Sequence, residues 1–209
     1  MAATHSPTFI FFIISVILTF SILKNLTTDL LFYTVLISAA FLLFFSTLKE
    51  LFVKKFNNIS QVIAHLGFSM FILAILFNNI LSSEIISNIK VGEKYSYNKS
   101  EIFFEKIKEK KESNYNSIVG YFKITDETGK IVQLKPEIRI YNQPRIITSE
   151  ADIKTTFLED KFLVMNLVKG DEYFNVRYQV KPFMLMIWIS VLLLSLGGLI
   201  GLFKKKYEK

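Results

Sequence analysis

Cysteine is absent from this 209-residue chain, histidine occurs twice and tryptophan once. Without cysteine there is no disulfide framework, iron–sulfur cluster, thiolate zinc site or cysteine nucleophile. With only His5 and His65, no site of three histidines can be built within one chain. Neither a glycine-rich phosphate loop nor a G-x-S-x-G nucleophile motif occurs. No side chain is nominated as catalytic, so any chemistry must be borrowed from a cofactor or shared with other chains. Charge is also missing, but only in blocks. No Asp, Glu, Lys or Arg lies in Met1–Leu23, Leu30–Leu48, Phe56–Ser83 or Pro182–Phe203. Between Glu84 and Lys181 charge is dense. That distribution excludes an ordinary soluble domain.

A helix needs about 20 mostly apolar residues to cross ~30 Å of hydrocarbon. Four segments qualify: 7–23, 30–48, 59–81 and 183–203. The first could be taken for a signal peptide, but it lacks a basic n-region and a small-residue cleavage site. The expected fold is therefore a membrane protein with four transmembrane α-helices. A β-rich extracytoplasmic domain, residues 82–182, lies between spans three and four, and 204–209 form a basic cytoplasmic tail. Lys49, Lys54, Lys55, Lys204, Lys205, Lys206 and Lys209 fall on one side, against Lys24 alone in the opposing short loop. By the positive-inside rule both termini are cytoplasmic or matrix-side and the polar domain is outside. That domain carries 17 basic and 15 acidic residues, so most of the +7 net charge belongs to the inner membrane face. A nucleic-acid partner is accordingly not expected; the spans contact membrane lipid.

Within the polar domain NYNSIVGYFKIT, DETG and KIVQL read as a hairpin, with Gly129 available for a positive φ. Further strands are expected at Glu101–Phe104, Glu137–Tyr141, Phe162–Val168 and Tyr173–Val180. Pro136 and Pro144 bracket the second of these. Lys106–Glu112 reads as a charged loop or short helix. Thr148–Leu158 reads as a short helix capped by Thr148 or Ser149.

His65 lies about six residues into the third span, roughly 9 Å deep at helical rise. An ionisable group there is costly and is by default a functional candidate. It can be an axial ligand of haem iron, a hydrogen-bonding partner of a neighbouring helix or of Gln61, or part of a proton relay. Gly67 leaves room beside the helix for a flat porphyrin or another helix. His5 sits on the flank of the first span. Gly197 and Gly201 have GxxxG spacing for close helix packing, and Trp188 suits an interfacial belt.

From Gln61 onward the chain resembles the C-terminal part of the CcmF haem lyase family of cytochrome c maturation. The resemblance rests on AHLGFS (Ala64–Ser69), VGE (Val91–Glu93), Asn114–Tyr115 and LKPEIRIY (Leu134–Tyr141). It continues through TSEADI (Thr148–Ile153), VRYQVKPFMLMIWI (Val176–Ile189) and Gly197–Gly198, in that order. It implies that His65 ligates the iron of a membrane haem b. It also implies a subunit or C-terminal portion of a holocytochrome c synthase that is not active alone. Other haem lyase subunits would supply the tryptophan-rich segment and the second haem ligand, because Trp188 is the only tryptophan here. Apocytochrome c is then a partner and the location is a bacterial cytoplasmic or mitochondrial inner membrane. The β domain would lie on the periplasmic or intermembrane side. Arg139, Arg145, Arg177 and Lys181 are candidates for haem propionates, because guanidinium and ammonium groups pair with carboxylates. The alternative is a non-catalytic membrane scaffold whose β domain binds a partner protein.

Overall fold

The computed structural model describes residues 7–27, 29–53, 59–98, 100–168 and 172–207. His5, Lys54, Lys55 and Lys209 lie outside these residues. Two units are distinguished, one built from 1–81 with 182–209 and one from 82–181.

The first unit is helical: α1 (Pro7–Leu23), α2 (Leu30–Val53), α3 (Ile59–Leu81) and α4 (Met184–Tyr207). Three segments, Leu30–Phe52, Ile59–Leu81 and Met184–Phe203, are long and apolar enough to cross a membrane; Phe9–Leu23 is apolar but shorter. Several hydroxyls in these helices bond back to their own backbone. Ser15, Thr19 and Thr47 each donate to the carbonyl four residues earlier at 2.7 Å. That removes the cost of an unpaired hydroxyl in an apolar medium.

Small residues set the α3–α4 contact. A Cβ on Gly197 would lie 2.6 Å from the Ala64 backbone nitrogen, and one on Gly67 would lie 2.8 Å from the Leu194 nitrogen. Ser60 Oγ donates to the Gly197 carbonyl at 2.9 Å. The space beside Gly67 is thus filled by α4, and a porphyrin has no room there. The Gly197/Gly201 spacing serves the same packing, with Gly201 against Ser60.

The second unit is a β-sandwich. Its strands are β1 (Ser83–Ile89), β2 (Lys94–Tyr97), β3 (Ser100–Lys111), β4 (Tyr115–Thr125), β5 (Ile131–Leu134), β6 (Glu137–Tyr141), β7 (Ile147–Glu150), β8 (Asp152–Thr155), β9 (Glu159–Leu167) and β10 (Phe174–Pro182). One sheet runs β1-β10-β9-β8; the other runs β2-β3-β4-β6-β7, with β5 also paired to β4. The core between them holds Ile102, Phe104, Phe122, Ile124, Leu163, Met165, Val176 and Tyr178. Phe104 and Phe122 stack with ring centroids 4.2 Å apart. Gly120 leaves space that Met165 Sδ fills, since a Cβ there would approach it to 2.9 Å.

The β4–β5 hairpin forms as its sequence predicts, and Gly129 has φ +78°. Two expectations are corrected. Lys106–Glu112 is not a loop or helix, because Lys106–Lys111 continue β3 past a bulge after Phe104 and pair with Asn116–Tyr121 of β4. Backbone pairing to a strongly β-prone partner outweighs the local charge. Thr148–Leu158 is not a capped helix either; it forms β7 and β8. Thr148 and Ser149 pair with Arg139 and Ile138 of β6. The Asp152 carboxylate accepts from the Lys135 nitrogen at 2.6 Å rather than from a helix end. The β-branched residues of ITSE and DIKTT favour that outcome.

Candidate functional site

His65 sits on the α3 face turned away from α4. Exposed residues on this helix include Gln61, His65, Phe68, Ile75 and Asn79. At 3.6 residues per turn their spacing of four, three, seven and four residues makes one stripe. Ser60, Ala64 and Gly67 face α4 instead. Three polar side chains therefore lie on one stripe that stays exposed among the described residues. Asn79 Nδ2 donates to the Tyr33 hydroxyl at 3.5 Å. His65 makes no hydrogen bond or ion pair to any described residue, Gln61 included. Among the described residues nothing engages its two ring nitrogens. An imidazole held on a rigid helix, unpartnered and beside an aromatic at Phe68, fits an axial haem ligand.

The four basic candidates lie in the other unit and are not brought together. Arg139 is on β6 of the larger sheet, and Arg145 is exposed in the connection that follows it. Arg177 and Lys181 are on β10 of the smaller sheet and, four residues apart on a strand, share one face. Arg139 is already engaged. Its Nε donates to Glu137 at 3.1 Å, and its guanidinium lies 5.1 Å from the centre of the Tyr115 ring. The hydrogen bonds to Glu137 and Tyr141 raise its pKa above the ordinary arginine value. Arg177 Nε lies 3.1 Å from Glu84, whose other carboxylate oxygen accepts from Gln179. No group of three or more His, Asp or Glu suited to a metal ion occurs among the described residues.

The stripe around His65 went unnoticed in the sequence, although the spacing of Gln61, His65 and Phe68 carried it. An all-apolar helix does not announce which of its faces is packed. A second unforeseen cluster lies on the outer face of the larger sheet. There Lys106, Lys108 and Lys135 place their ammoniums 5.4, 5.6 and 5.4 Å from the centre of the Tyr121 ring.

A family profile described as "CcmF C-terminal beta-sandwich" matches residues 80–182. The chain is 29% identical over 146 residues to the "Cytochrome c-type biogenesis protein CcmF" of Pseudomonas fluorescens, covering 70% of this chain and 22% of that protein. It is 29% identical over 154 residues to the protein of the same description in Escherichia coli (strain K12), covering 74% and 24%. It is 40% identical over 81 residues to the "Cytochrome c-type biogenesis protein ccl1" of Rhodobacter capsulatus, covering 38% and 12%. The chain thus spans about a quarter or less of the length of these relatives. A solved structure, "Cytochrome c Heme Lyase CcmF", matches with a TM-score of 0.69 over 95% of this chain and 35% of its own, at 15% identity. At that identity the likeness is one of fold.

Proposed function

From the premise that this chain corresponds to the C-terminal part of the CcmF family, we propose that it is the C-terminal portion of a haem lyase for cytochrome c maturation. In this reading all four helices cross an inner membrane. The Lys and Arg bias puts both termini on the cytoplasmic or matrix side and the sandwich on the periplasmic or intermembrane side. His65 supplies one axial ligand to a b-type haem. A further polypeptide segment, outside this chain, supplies the second ligand and the tryptophan-rich surface for the haem to be attached. Apocytochrome c is the protein substrate of the whole assembly. The b-type haem, when bound, supplies reversible one-electron chemistry. This chain's part is to present an imidazole from a rigid helix. Arg177 and Lys181, sharing one face of β10, are the pair we assign to propionates, although Arg177 shares Glu84 as Arg139 shares Glu137.

One observation carries this reading: an ionisable side chain lies deep in an apolar helix, on its open face, without a partner among the described residues. The test is His65→Ala in the full complex, co-expressed with the polypeptide that supplies the remainder. The expected result is loss of the b-haem absorbance from the purified assembly, with assembly itself retained. Unchanged absorbance would sink the ligand role. A complex that assembles but carries no haem even with His65 intact would favour a scaffold.

A further inference from the structure

The turn between β8 and β9 has a composition that its geometry does not call for. Thr156 and Glu159 close it. The Thr156 nitrogen and hydroxyl both donate to the Glu159 carbonyl, at 3.0 and 2.6 Å. The Glu159 nitrogen donates back to Thr156 Oγ1 at 3.1 Å. Phe157 and Leu158 are left at the two apical positions. Such positions favour Gly, Asn, Asp, Pro or Ser, for their backbone freedom or local hydrogen bonds. Here two large apolar side chains occupy them, 62% and 61% exposed. The neighbouring β4–β5 turn, Asp126–Gly129, has the ordinary polar make-up. It shares with Thr156–Glu159 the lining of a shallow cleft.

The topology of the sandwich says which end this turn occupies. Ser83, at the start of β1, pairs with Val180 near the end of β10. β9 neighbours β10, and the six residues 168–173 that join them are too few for a parallel crossover. β9 therefore begins where β10 ends. Consistently, the Tyr178 phenol of β10, whose pKa is pushed up first by burial, is raised further by the nearby carboxylates of Glu159 and Asp126. The Phe157–Leu158 tip thus leaves the sandwich from the end at which the chain enters and exits it. α3 ends at Leu81, just before β1, and α4 starts at Met184, just after β10.

We infer that the Phe157–Leu158 turn is a lipid-contacting tip, inserted into the interfacial layer of the bilayer that the apolar helices cross. An aromatic and an aliphatic side chain on a rigid turn gain by leaving water for the headgroup–acyl boundary. Covalent continuity with membrane-length helices holds this end of the domain within reach of that boundary. Ile147 is exposed to the same degree, 60%, but pairs with Ile140 at the far end of β6. It is a matched apolar site at the opposite end.

The absence of cysteine makes the test direct. The full chain, with its partners where they co-purify, carries one cysteine at a time: Phe157→Cys, Leu158→Cys, Ile147→Cys or Leu192→Cys. Each is labelled with a polarity-sensitive fluorophore and reconstituted into phosphatidylcholine–phosphatidylglycerol bilayers. Quenching by lipids doxyl-labelled near the headgroup is compared with quenching by aqueous iodide. The experiment is read on preparations in which the Leu192→Cys label, within α4, is quenched by doxyl lipid. At 157 and 158 we expect doxyl quenching several-fold above that at 147, a blue-shifted emission and protection from iodide. Iodide quenching at 157 and 158 equal to that at 147 would overturn the inference. Protection from both quenchers would overturn it as well, because the tip would then be covered by protein.

Discussion

The helical unit and the sandwich solve the packing problem with opposite materials. Where α3 meets α4 the contact is made by Gly67, Gly197, Gly201, Ala64 and Ser60. The sandwich is filled by Phe104, Phe122, Met165, Leu163 and Tyr178. The difference follows from the solvent. Lipid tails are as apolar as the side chains, so helices gain by close backbone approach rather than by burying bulk. A sandwich in water gains most from the large apolar area it removes from solvent.

Phe104→Ala tests the sandwich side and carries the largest expected effect. Phe104 is fully buried, stacked on Phe122 and edge-on to Phe174. Truncation should destabilise the domain by about 3–5 kcal/mol, seen as a lower midpoint of chemical unfolding or as faster proteolysis within 82–181. A loss under ~1 kcal/mol would mean that the two units do not differ in the way described. Gly197→Val tests the helical side. Its added atoms meet the Ala64 backbone, so α3 and α4 must separate, at a cost of about 1–3 kcal/mol. Gly198→Ala, one residue on, meets nothing within 4 Å and should stay within about 0.5 kcal/mol of the parent. Thermal unfolding of both variants in the same detergent measures the contrast; equal effects would refute the packing account.

The smallest effect concerns pH and belongs to the sandwich. Asp126 accepts from the Thr128 hydroxyl and nitrogen and from the Lys130 nitrogen, at 2.6, 2.9 and 3.0 Å. The hydrogen bond from Thr128 leads in holding its pKa below the usual carboxylate value. A depressed folded-state pKa adds stability above the unfolded value and loses it as pH falls through the folded one. Asp126→Asn should therefore be slightly less stable than the parent at neutral pH. The gap should close as pH falls through the depressed folded-state value, as thermal midpoints at neutral and at strongly acidic pH will show.

Much of this was legible in the chain because two signals are local. Charge-free runs mark apolar helices, and alternation with a DETG turn marks the β4–β5 hairpin. The segments misread, Lys106–Glu112 and Thr148–Leu158, have local composition that argues for loop and helix. Their strands exist because the adjoining strands β4 and β6 offer backbone partners, Asn116 to Lys111 and Ile140 to Ile147, which local composition does not register. His65 was conspicuous as an ionisable group in an apolar run. Its stripe was not, because Gln61, Phe68 and Asn79 gain meaning only once α4 has claimed the opposite face of α3.

By itself the sequence determined the division into apolar helices and a β-rich polar domain, the absence of thiol chemistry and the singular position of His65. These follow from composition and spacing along one chain. Only the tertiary structure decided that α4 fills the space beside Gly67, that the basic candidates are spread over two sheets and a connection, and that Phe157 and Leu158 stand at a turn apex. Those outcomes depend on which backbone groups pair and which helix faces meet, and composition along the chain does not specify either.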